Sequence, residues 1–349
     1  MRRRLSTIWK HNIWVKLLAV AGPLAMAYPA FGVSCMTQSQ MTSAQRTILA
    51  QSAQMIGGNV EAGNAAAVRT QTIASVAGNF DGIANSIQAV NTSIQHATLT
   101  VDTIYLLDAT DLKAAQETQF FCGVAGSALT VEVTIPGLPP GKYALAILHA
   151  TGVKDPQQIS LILQNDPAGS ADWKLAGFFA KPMTMSGHDG LWFWRQARDY
   201  AAKKQMGPAL FYYQTAQNLL VPVDFISSPN LQKLDKEAEQ SRPDVLPGND
   251  PMRLNAGAQS FEITNLHVGE FSGQMDLIVT YNATPGLNLV ASRAQVTAVM
   301  RALLQQYPGL QNAFHGLWVY AATPGNQTPF ALELPMDQIQ TASPSGQRT

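Results

Sequence analysis

The sequence predicts an α+β protein with three successive parts: helices packed on an antiparallel sheet, a helical hairpin, and a two-layer ββαββ domain. Three observations lead to this prediction. Apolar residues recur at helical spacing through 42–95, and the pattern then changes to the alternation typical of strands through 99–180. A proline-rich stretch at 241–251 separates this region from a second group of strands with one helix.

The composition limits the classes of function that the chain can serve. Its 349 residues suffice for two or three domains, and only 13% of them are charged, against roughly 25% in an average domain. Basic and acidic residues both number 23, but five of the basic ones lie within the first 16 positions. The remaining chain carries 18 basic and 23 acidic residues, a net charge of −5. We therefore expect no nucleic-acid partner, because such a partner requires a basic surface.

The N-terminus has the pattern of a secretory signal peptide. A positive segment at 2–4 precedes an apolar segment at 13–27, and Ala25-Met26-Ala27 fits the small-x-small cleavage pattern. We therefore expect a signal peptide over residues 1–27 and a secreted or periplasmic protein with no further membrane span. The alternative is an uncleaved anchor, but the apolar run after Lys16 is shorter than the roughly 20 residues that span a bilayer.

The two cysteines, Cys35 and Cys122, both remain after such a cleavage. An even number of cysteines in an exported chain favours a Cys35–Cys122 disulfide, with two free buried thiols as the alternative. A lipid anchor on Cys35 is a third reading, which would exclude the bridge, but Gly32 stands where a lipobox prefers leucine. No Cys-x-x-Cys pair occurs, so a redox or zinc-ribbon role is not indicated.

Helices come first in the predicted N-terminal domain, residues 36–182, after a linker at 36–41. Thr42 is a suitable N-cap for the first helix, and Gly57-Gly58 is expected to end it, as glycine often does after a last turn. Apolar side chains recur at helical spacing in three stretches: 44–56, 62–76 and 81–95.

Strands follow the helices in the same domain. Alternating and β-branched patterns predict these strands: 99–107, 128–135, 142–151, 158–164 and 173–180. The prolines and glycines of 136–141 predict a rigid turn, and 165–171 is expected to be a hairpin loop. Helices followed by sequential strands indicate one antiparallel sheet of four or five strands that the helices cover.

This order of elements, with the ending Trp173-Lys174-Leu175-Ala176-Gly177-Phe178, resembles the nuclear-transport-factor-like, cystatin-type α+β roll. In that family helices pack into the concave face of a curved sheet, and the roll serves as a small-molecule pocket or as a binding module. The ionisable side chains nearest to such a pocket are Asp102, Tyr105, Asp108 and His149. Two of them converging on an enclosed cavity would favour a ligand site, and a cavity filled by Leu, Ile and Phe would contradict it.

The stretch 187–222 predicts a helical hairpin, and a short charged helix extends this part to residue 240. Asp189 is the expected N-cap of the first helix, and Pro222 ends the second. The pair resembles one tetratricopeptide (TPR) unit. The residues with the spacing of that repeat's helix contacts are Tyr200, Ala209, Tyr213 and Ala216. Only one copy is present, so the stacked peptide-binding groove of repeat proteins is not expected.

Two readings of the hairpin's aromatic residues remain open. In the first, the hairpin is wedged between the flanking domains and its aromatic side chains are buried. In the second, Trp192 and Tyr212, which fall off the apolar stripes of their helices, form an exposed edge that binds a partner.

The C-terminal domain is predicted over 257–339, after a linker at 241–256 and before a disordered tail at 340–349. Its predicted elements are the strands 260–271, 274–282, 316–323 and 329–333 and the helix 292–307. Ser292 is expected to cap that helix. One helix on a four-stranded antiparallel sheet would make two layers.

Reactive side chains form no constellation that indicates an enzyme. His188-Asp189 is the sharpest candidate for metal ligation, but a helix cap explains Asp189 and no partner ligand is indicated. His315 is expected to serve a helix-to-strand turn, and His267 and Glu270 should lie on opposite faces of a strand. Nucleophile-elbow, zinc-protease, P-loop and dinucleotide motifs do not occur in the sequence, and we expect neither a metal nor a cofactor.

The sequence therefore favours an exported, non-enzymatic binding or scaffold protein that contacts another exported protein. The residues expected to bind are Trp192, Tyr212, Asp102, Tyr105 and His149. The alternative is a small-ligand binder or enzyme that uses the pocket of the N-terminal roll. The assembly also resembles exported proteins of soil bacteria, a resemblance that implies no activity.

Overall fold

The fold is described by a computed structural model that covers residues 32–123, 130–166, 172–243, 251–323 and 328–339. The predicted signal peptide and the predicted disordered tail lie outside these residues. Most of the predicted loop at 165–171 and the middle of the predicted linker at 241–256 also lie outside them.

Helices and strands occur in the groups that the sequence predicts, which confirms the α+β class. The helices of the described residues are α1 (Ser43–Glu61), α2 (Ala65–Thr70), α3 (Ala74–Ala77), α4 (Asp81–Ile94), α5 (Gly190–Ala202), α6 (Met206–Leu220), α7 (Pro229–Gln240) and α8 (Leu289–Gln306). The N-terminal strands are β1 (Ser34–Thr37), β2 (Thr98–Asp108), β3 (Gln116–Cys122), β4 (Val131–Leu138), β5 (Lys142–Thr151), β6 (Gln157–Asn165) and β7 (Trp173–Pro182). The later strands are β8 (Thr184–Met185), β9 (His188–Asp189), β10 (Ile226–Ser227), β11 (Met252–Ala256), β12 (Gln259–Phe271), β13 (Gln274–Asn282), β14 (Gly316–Ala322) and β15 (Phe330–Pro335).

Helix α1 begins as predicted but ends later. Thr42 caps it through a capping box, in which its hydroxyl accepts from the backbone N–H of Gln45 and its own N–H donates to the Gln45 side chain. The helix does not end at Gly57-Gly58 but continues to Glu61. A Cβ on Gly57 would lie 2.9 Å from Leu148 Cδ2, so this glycine serves close packing of the helix on the sheet.

Five antiparallel strands form the main sheet, in the order β1-β2-β5-β6-β7. The N-terminal helices cover one face of it. Alternate residues of β5 point to opposite sides of the sheet, so they contribute to two different clusters. Ala146 and Leu148 face the helices. Leu145 and Ile147 face the other way, into a separate apolar cluster. The edge strand β1 occupies part of the stretch predicted as a linker at 36–41.

A second sheet, of three strands in the order β10-β4-β3, covers the other face of the main sheet. This corrects the prediction of a single sheet, because β4 pairs with β3 and β10 rather than with β5. Pro139 and Pro140 lie between β4 and β5 and lack the backbone donors that a continuous hairpin ladder needs. Strand β3 is absent from the predicted set.

The helical hairpin α5–α6 shares one apolar cluster with the C-terminal sheet and α8. Ala209, Tyr213 and Ala216, three of the positions singled out for their TPR-like spacing, are buried in this cluster. The described residues from Val33 onward form one compact unit. None of the helices in the described part of the chain is both long and apolar enough to cross a membrane.

The C-terminal sheet has five strands in the order β11-β12-β13-β14-β15. The prediction of four antiparallel strands is corrected in two ways. Strand β11 lies within the predicted linker, and β13 pairs with β14 in parallel. The parallel pair arises because α8 carries the chain from one end of β13 back to the start of β14. Helix α8 begins at Leu289 and is capped by Asn288 rather than by Ser292.

Candidate functional site

The space between the N-terminal helices and the main sheet is filled by apolar side chains. They include Leu49, Ile56, Phe80, Ile87, Leu148, Leu161 and Phe178. The strand register places Tyr105 and His149 on the face of the main sheet that the helices do not cover. There Tyr105 pairs with Leu145, and His149 pairs with Thr100. The helix-covered face therefore does not bring the four predicted polar groups together.

Three of the predicted residues do lie near one another on the face of the main sheet that the helices do not cover. Asp102 is the extra residue of a bulge in β2, and its carboxylate lies 3.9 Å from His149 Nδ1. Burial raises the pKa of Tyr105, and the charge of Asp102 raises it further. Asp108 instead accepts hydrogen bonds from the backbone and hydroxyl of Thr110 at the end of β2. Asp102 and His149 are partly exposed and form a surface pair.

The hairpin's aromatic residues are divided between core and surface. Tyr212 is only 7% exposed, and its hydroxyl donates to the carbonyl of Ala313 at 3.0 Å. Burial raises the pKa of Tyr212, and Tyr200 adds to the shift. Trp192 is half-buried and its ring stacks on His188, with centroids 3.8 Å apart. Of the two readings, the exposed edge does not hold for Tyr212, because this side chain is buried and joins the hairpin to the C-terminal domain.

The sharpest metal candidate of the sequence has a structural role. Asp189 caps α5, since its carboxylate accepts from the backbone N–H of Trp192 at 2.7 Å. His267 and Glu270 lie on opposite faces of β12, as their spacing predicts. His267 pairs with Ile278 on the face of the sheet that α8 does not cover, and Glu270 pairs with the buried Met275.

The predicted disulfide between Cys35 and Cys122 is confirmed. It joins β1, at the edge of the main sheet, to β3 of the second sheet, within the apolar cluster between them. Because both sulfur atoms are bonded to each other, Cys35 is not available for a lipid anchor in this structure.

An apolar groove of about 410 Å³ opens where the second sheet meets α3 and the end of the main sheet. The name apolar groove is used below for this cavity alone. Its lining residues are Ile73, Ser75, Val76, Ile135, Pro136, Gly137, Leu138, Pro139, Tyr143, Ile162, Gln164, Ala176, Gly177, Phe179 and Phe225. None of these residues is charged.

Aromatic rings and a glycine shape the apolar groove. Phe179 and Phe225 meet edge to face with centroids 5.4 Å apart. The Tyr143 hydroxyl donates to the Pro139 carbonyl, and burial raises the pKa of Tyr143. A Cβ on Gly177 would lie 3.3 Å from Ile162, so the absence of a side chain keeps this wall flat. The groove can therefore hold an apolar group but offers few polar partners.

The second notable surface is the face of the C-terminal sheet that α8 does not cover, here called the outer face. Trp318 lies on it between Phe271 and Tyr320, at centroid distances of 4.5 and 6.3 Å and with nearly parallel rings. His267 and Ile278 lie beside Tyr320 in a shallow cavity of about 360 Å³. Partial desolvation lowers the pKa of His267.

A buried carboxylate lies beneath these rings. Asp276 is 1% exposed, accepts a hydrogen bond from Trp318 Nε1 at 3.0 Å, and has its Oδ1 atom 3.2 Å from His315 Nδ1. Sequence reasoning missed Asp276, although one acidic residue within the apolar strand 274–282 was a usable signal. His315 does lie at the expected turn, but its contact with Asp276 spans 39 positions in sequence.

No protein-family model, curated protein or solved structure matches this chain.

Proposed function

We propose that this chain is an exported, non-enzymatic binding protein whose ligand is a small, uncharged and largely apolar molecule. The observation that carries the proposal is the apolar groove. Its volume of about 410 Å³ falls within the range of roughly 300–1,000 Å³ that small-molecule sites usually have. Its lining of proline, aromatic and aliphatic side chains with few polar groups also fits such a site.

The lining residues favour binding over catalysis. They contain no carboxylate, imidazole, thiol or amine among the described residues. The one ionisable group, the Tyr143 hydroxyl, donates to the Pro139 carbonyl, and burial raises its pKa. A general acid or base needs a pKa near the working pH, so Tyr143 is poorly suited to that role.

Export is supported by two features. The predicted signal peptide at 1–27 would direct the chain out of the cytoplasm. The Cys35–Cys122 disulfide is consistent with an oxidising compartment. We therefore place the ligand in the periplasm or the medium.

The resemblance to the nuclear-transport-factor-like roll is part of this proposal in a modified form. Helices do pack on one face of an antiparallel sheet, as in that family. The proposed ligand, however, binds at the other side, where Ile162 and Tyr143 of the main sheet face β4. The TPR-like hairpin would then have a structural role.

A second candidate function is a scaffold that binds another exported protein through the outer face. The row of Phe271, Trp318 and Tyr320 favours it, because clustered aromatic side chains on a sheet face are typical of protein contacts. In this case the ligand affinity of the apolar groove would be unrelated to function.

The apolar groove can be tested with a neutral naphthylamine dye that fluoresces in apolar surroundings. We expect saturable binding to the purified protein. Ala176→Trp, which places an indole in the groove, should weaken dye binding about tenfold or more, and Phe225→Ala should weaken it by removing a wall. Leu289→Ala is the matched control, because Leu289 is an exposed apolar residue of the C-terminal part. Unchanged dye affinity in Ala176→Trp, with an unchanged Tm, would contradict the groove as the site.

A further inference from the structure

Three neighbouring strands of the C-terminal sheet bring metal-ligating side chains to one point. Asp276 lies on β13, His315 precedes β14, and Glu333 lies on β15. The register sets Asp276 beside Gly316, and Trp318 beside Glu333, so Asp276 and Glu333 share the outer face. His315 reaches the same point from the turn before β14, since its Nδ1 lies 3.2 Å from Asp276 Oδ1. One ligand atom from each of the three lies within 4.8 Å of the others.

The charge of Asp276 is poorly compensated by the protein. A buried carboxylate is expensive to remove from water unless a cation or several donors compensate it. Within the described residues the only ion pair that Asp276 forms is with His315, and an imidazole carries charge only when it is protonated. The other donor is the neutral indole N–H of Trp318. A bound cation would supply the missing charge.

The distance between two of the three ligand atoms fits a metal centre. Asp276 Oδ1 and His315 Nδ1 are 3.2 Å apart. Two ligands at the usual zinc bond lengths in a tetrahedral site are separated by about 3.3 Å, so this spacing suits a shared metal as well as a hydrogen bond. A Glu333 oxygen lies within 4.8 Å of both other ligand atoms, and this flexible, half-buried side chain on the edge strand would move closer when a metal binds.

We propose that Asp276, His315 and Glu333 bind a divalent transition-metal ion of the zinc class. Coordination through His315 Nδ1 requires the tautomer whose proton is on Nε2. One imidazole nitrogen and two carboxylate oxygens suit zinc better than magnesium, which prefers oxygen ligands alone. Three protein ligands leave a fourth position for water or for a ligand group.

Two neighbouring residues support the three ligands. Trp318 Nε1 donates to Asp276 Oδ2 and so orients the carboxylate with Oδ1 towards His315, as outer hydrogen bonds do in many metal sites. A Cβ on Gly316 would lie 3.1 Å from Asp276 Oδ1 and 3.0 Å from the Leu334 carbonyl. The absence of a side chain at Gly316 therefore leaves room for the carboxylate. The proposed metal would also tie the edge strand β15 to the centre of the sheet.

Zinc binding to the tag-free full-length protein, first treated with a chelator, tests the proposal. We expect one Zn²⁺ per chain by calorimetry or equilibrium dialysis, a change in tryptophan fluorescence, and a rise in Tm on adding Zn²⁺. His315→Ala and Glu333→Gln, which alter partly exposed side chains, should each weaken zinc binding about tenfold or more and reduce the Tm rise. Trp318→Phe keeps an aromatic ring but removes the donor to Asp276, and it should weaken binding by about 10- to 100-fold.

His267→Ala is the matched control, because His267 lies on the same outer face but outside the cluster. It should bind zinc as the wild type does. The proposal is wrong if the wild type binds no zinc at micromolar concentrations, or if His315→Ala and Glu333→Gln both retain wild-type affinity. Displacement of zinc by an equal concentration of Mg²⁺ would contradict the transition-metal assignment. Dye binding in the apolar groove should be unchanged in all these variants, which separates this test from that of the proposed function.

Discussion

Removal of the Cys35–Cys122 disulfide should destabilise the protein more than most single changes. The bridge connects β1 to β3 and thereby ties the edge of the main sheet to the second sheet. The two cysteines are 87 positions apart, so the reduced unfolded chain gains a large amount of freedom. For a closed loop of 87 residues the chain-entropy relation gives about 4.6 kcal/mol at 25 °C. Native proteins are stable by only about 5–15 kcal/mol, so the loss would be a large part of the total.

Urea unfolding followed by tryptophan fluorescence measures this loss. The oxidised wild type is compared with the reduced wild type and with the Cys35→Ala, Cys122→Ala double variant. With a urea slope of about 3 kcal/mol/M, we expect the midpoint to fall by about 1.5 M on reduction. The double variant should fall slightly further, because Cys122 is buried and its truncation leaves a small cavity. A difference of less than about 1 kcal/mol between oxidised and reduced wild type would refute the entropic reasoning.

Two further predictions concern the hairpin and the route of export. Tyr212→Phe should lower the free energy of unfolding by about 1–2 kcal/mol, because the buried Ala313 carbonyl loses its donor. Thermal unfolding of this variant and of the wild type measures the loss, and Tyr320→Phe on the outer face is the control. Equal stability of Tyr212→Phe and the wild type would show that the hydrogen bond to Ala313 contributes little. N-terminal sequencing of the protein recovered from the periplasm or medium should begin at or near Tyr28, and an intact Met1 would contradict the predicted cleavage.

Much of the N-terminal part could be predicted from local pattern. The helices and most strands follow from the spacing of apolar residues, because burial of one face imposes that spacing on each element. The pairing of β4 with β3 could not be predicted in this way. Alternation in a strand reports which face is buried but not which strand lies beside it. The prediction that α1 ends at Gly57 was wrong, because the role of this glycine depends on its contact with Leu148 in a distant strand.

The candidate sites depended still more on long-range contacts. The apolar groove is built from segments that lie between residues 73 and 225, and the stretch 136–141 gave only the signal of a turn. Asp276 and His315 meet because α8 returns the chain to a parallel strand, whereas the sequence pattern indicated antiparallel strands throughout. Hairpin connections are not distinguished from a crossover by the periodicity of the strands themselves.

The sequence by itself determined the α+β class, the caps at Thr42 and Asp189, and the disulfide, because each depends on nearby residues or on there being only two cysteines. The tertiary structure decided which sheets form and which side chains are buried. It buried Tyr212 through its contact with Ala313, and it joined Asp276 to His315. The physical reason is that pairing and burial are set by residues far apart in the chain, whose approach leaves no local pattern.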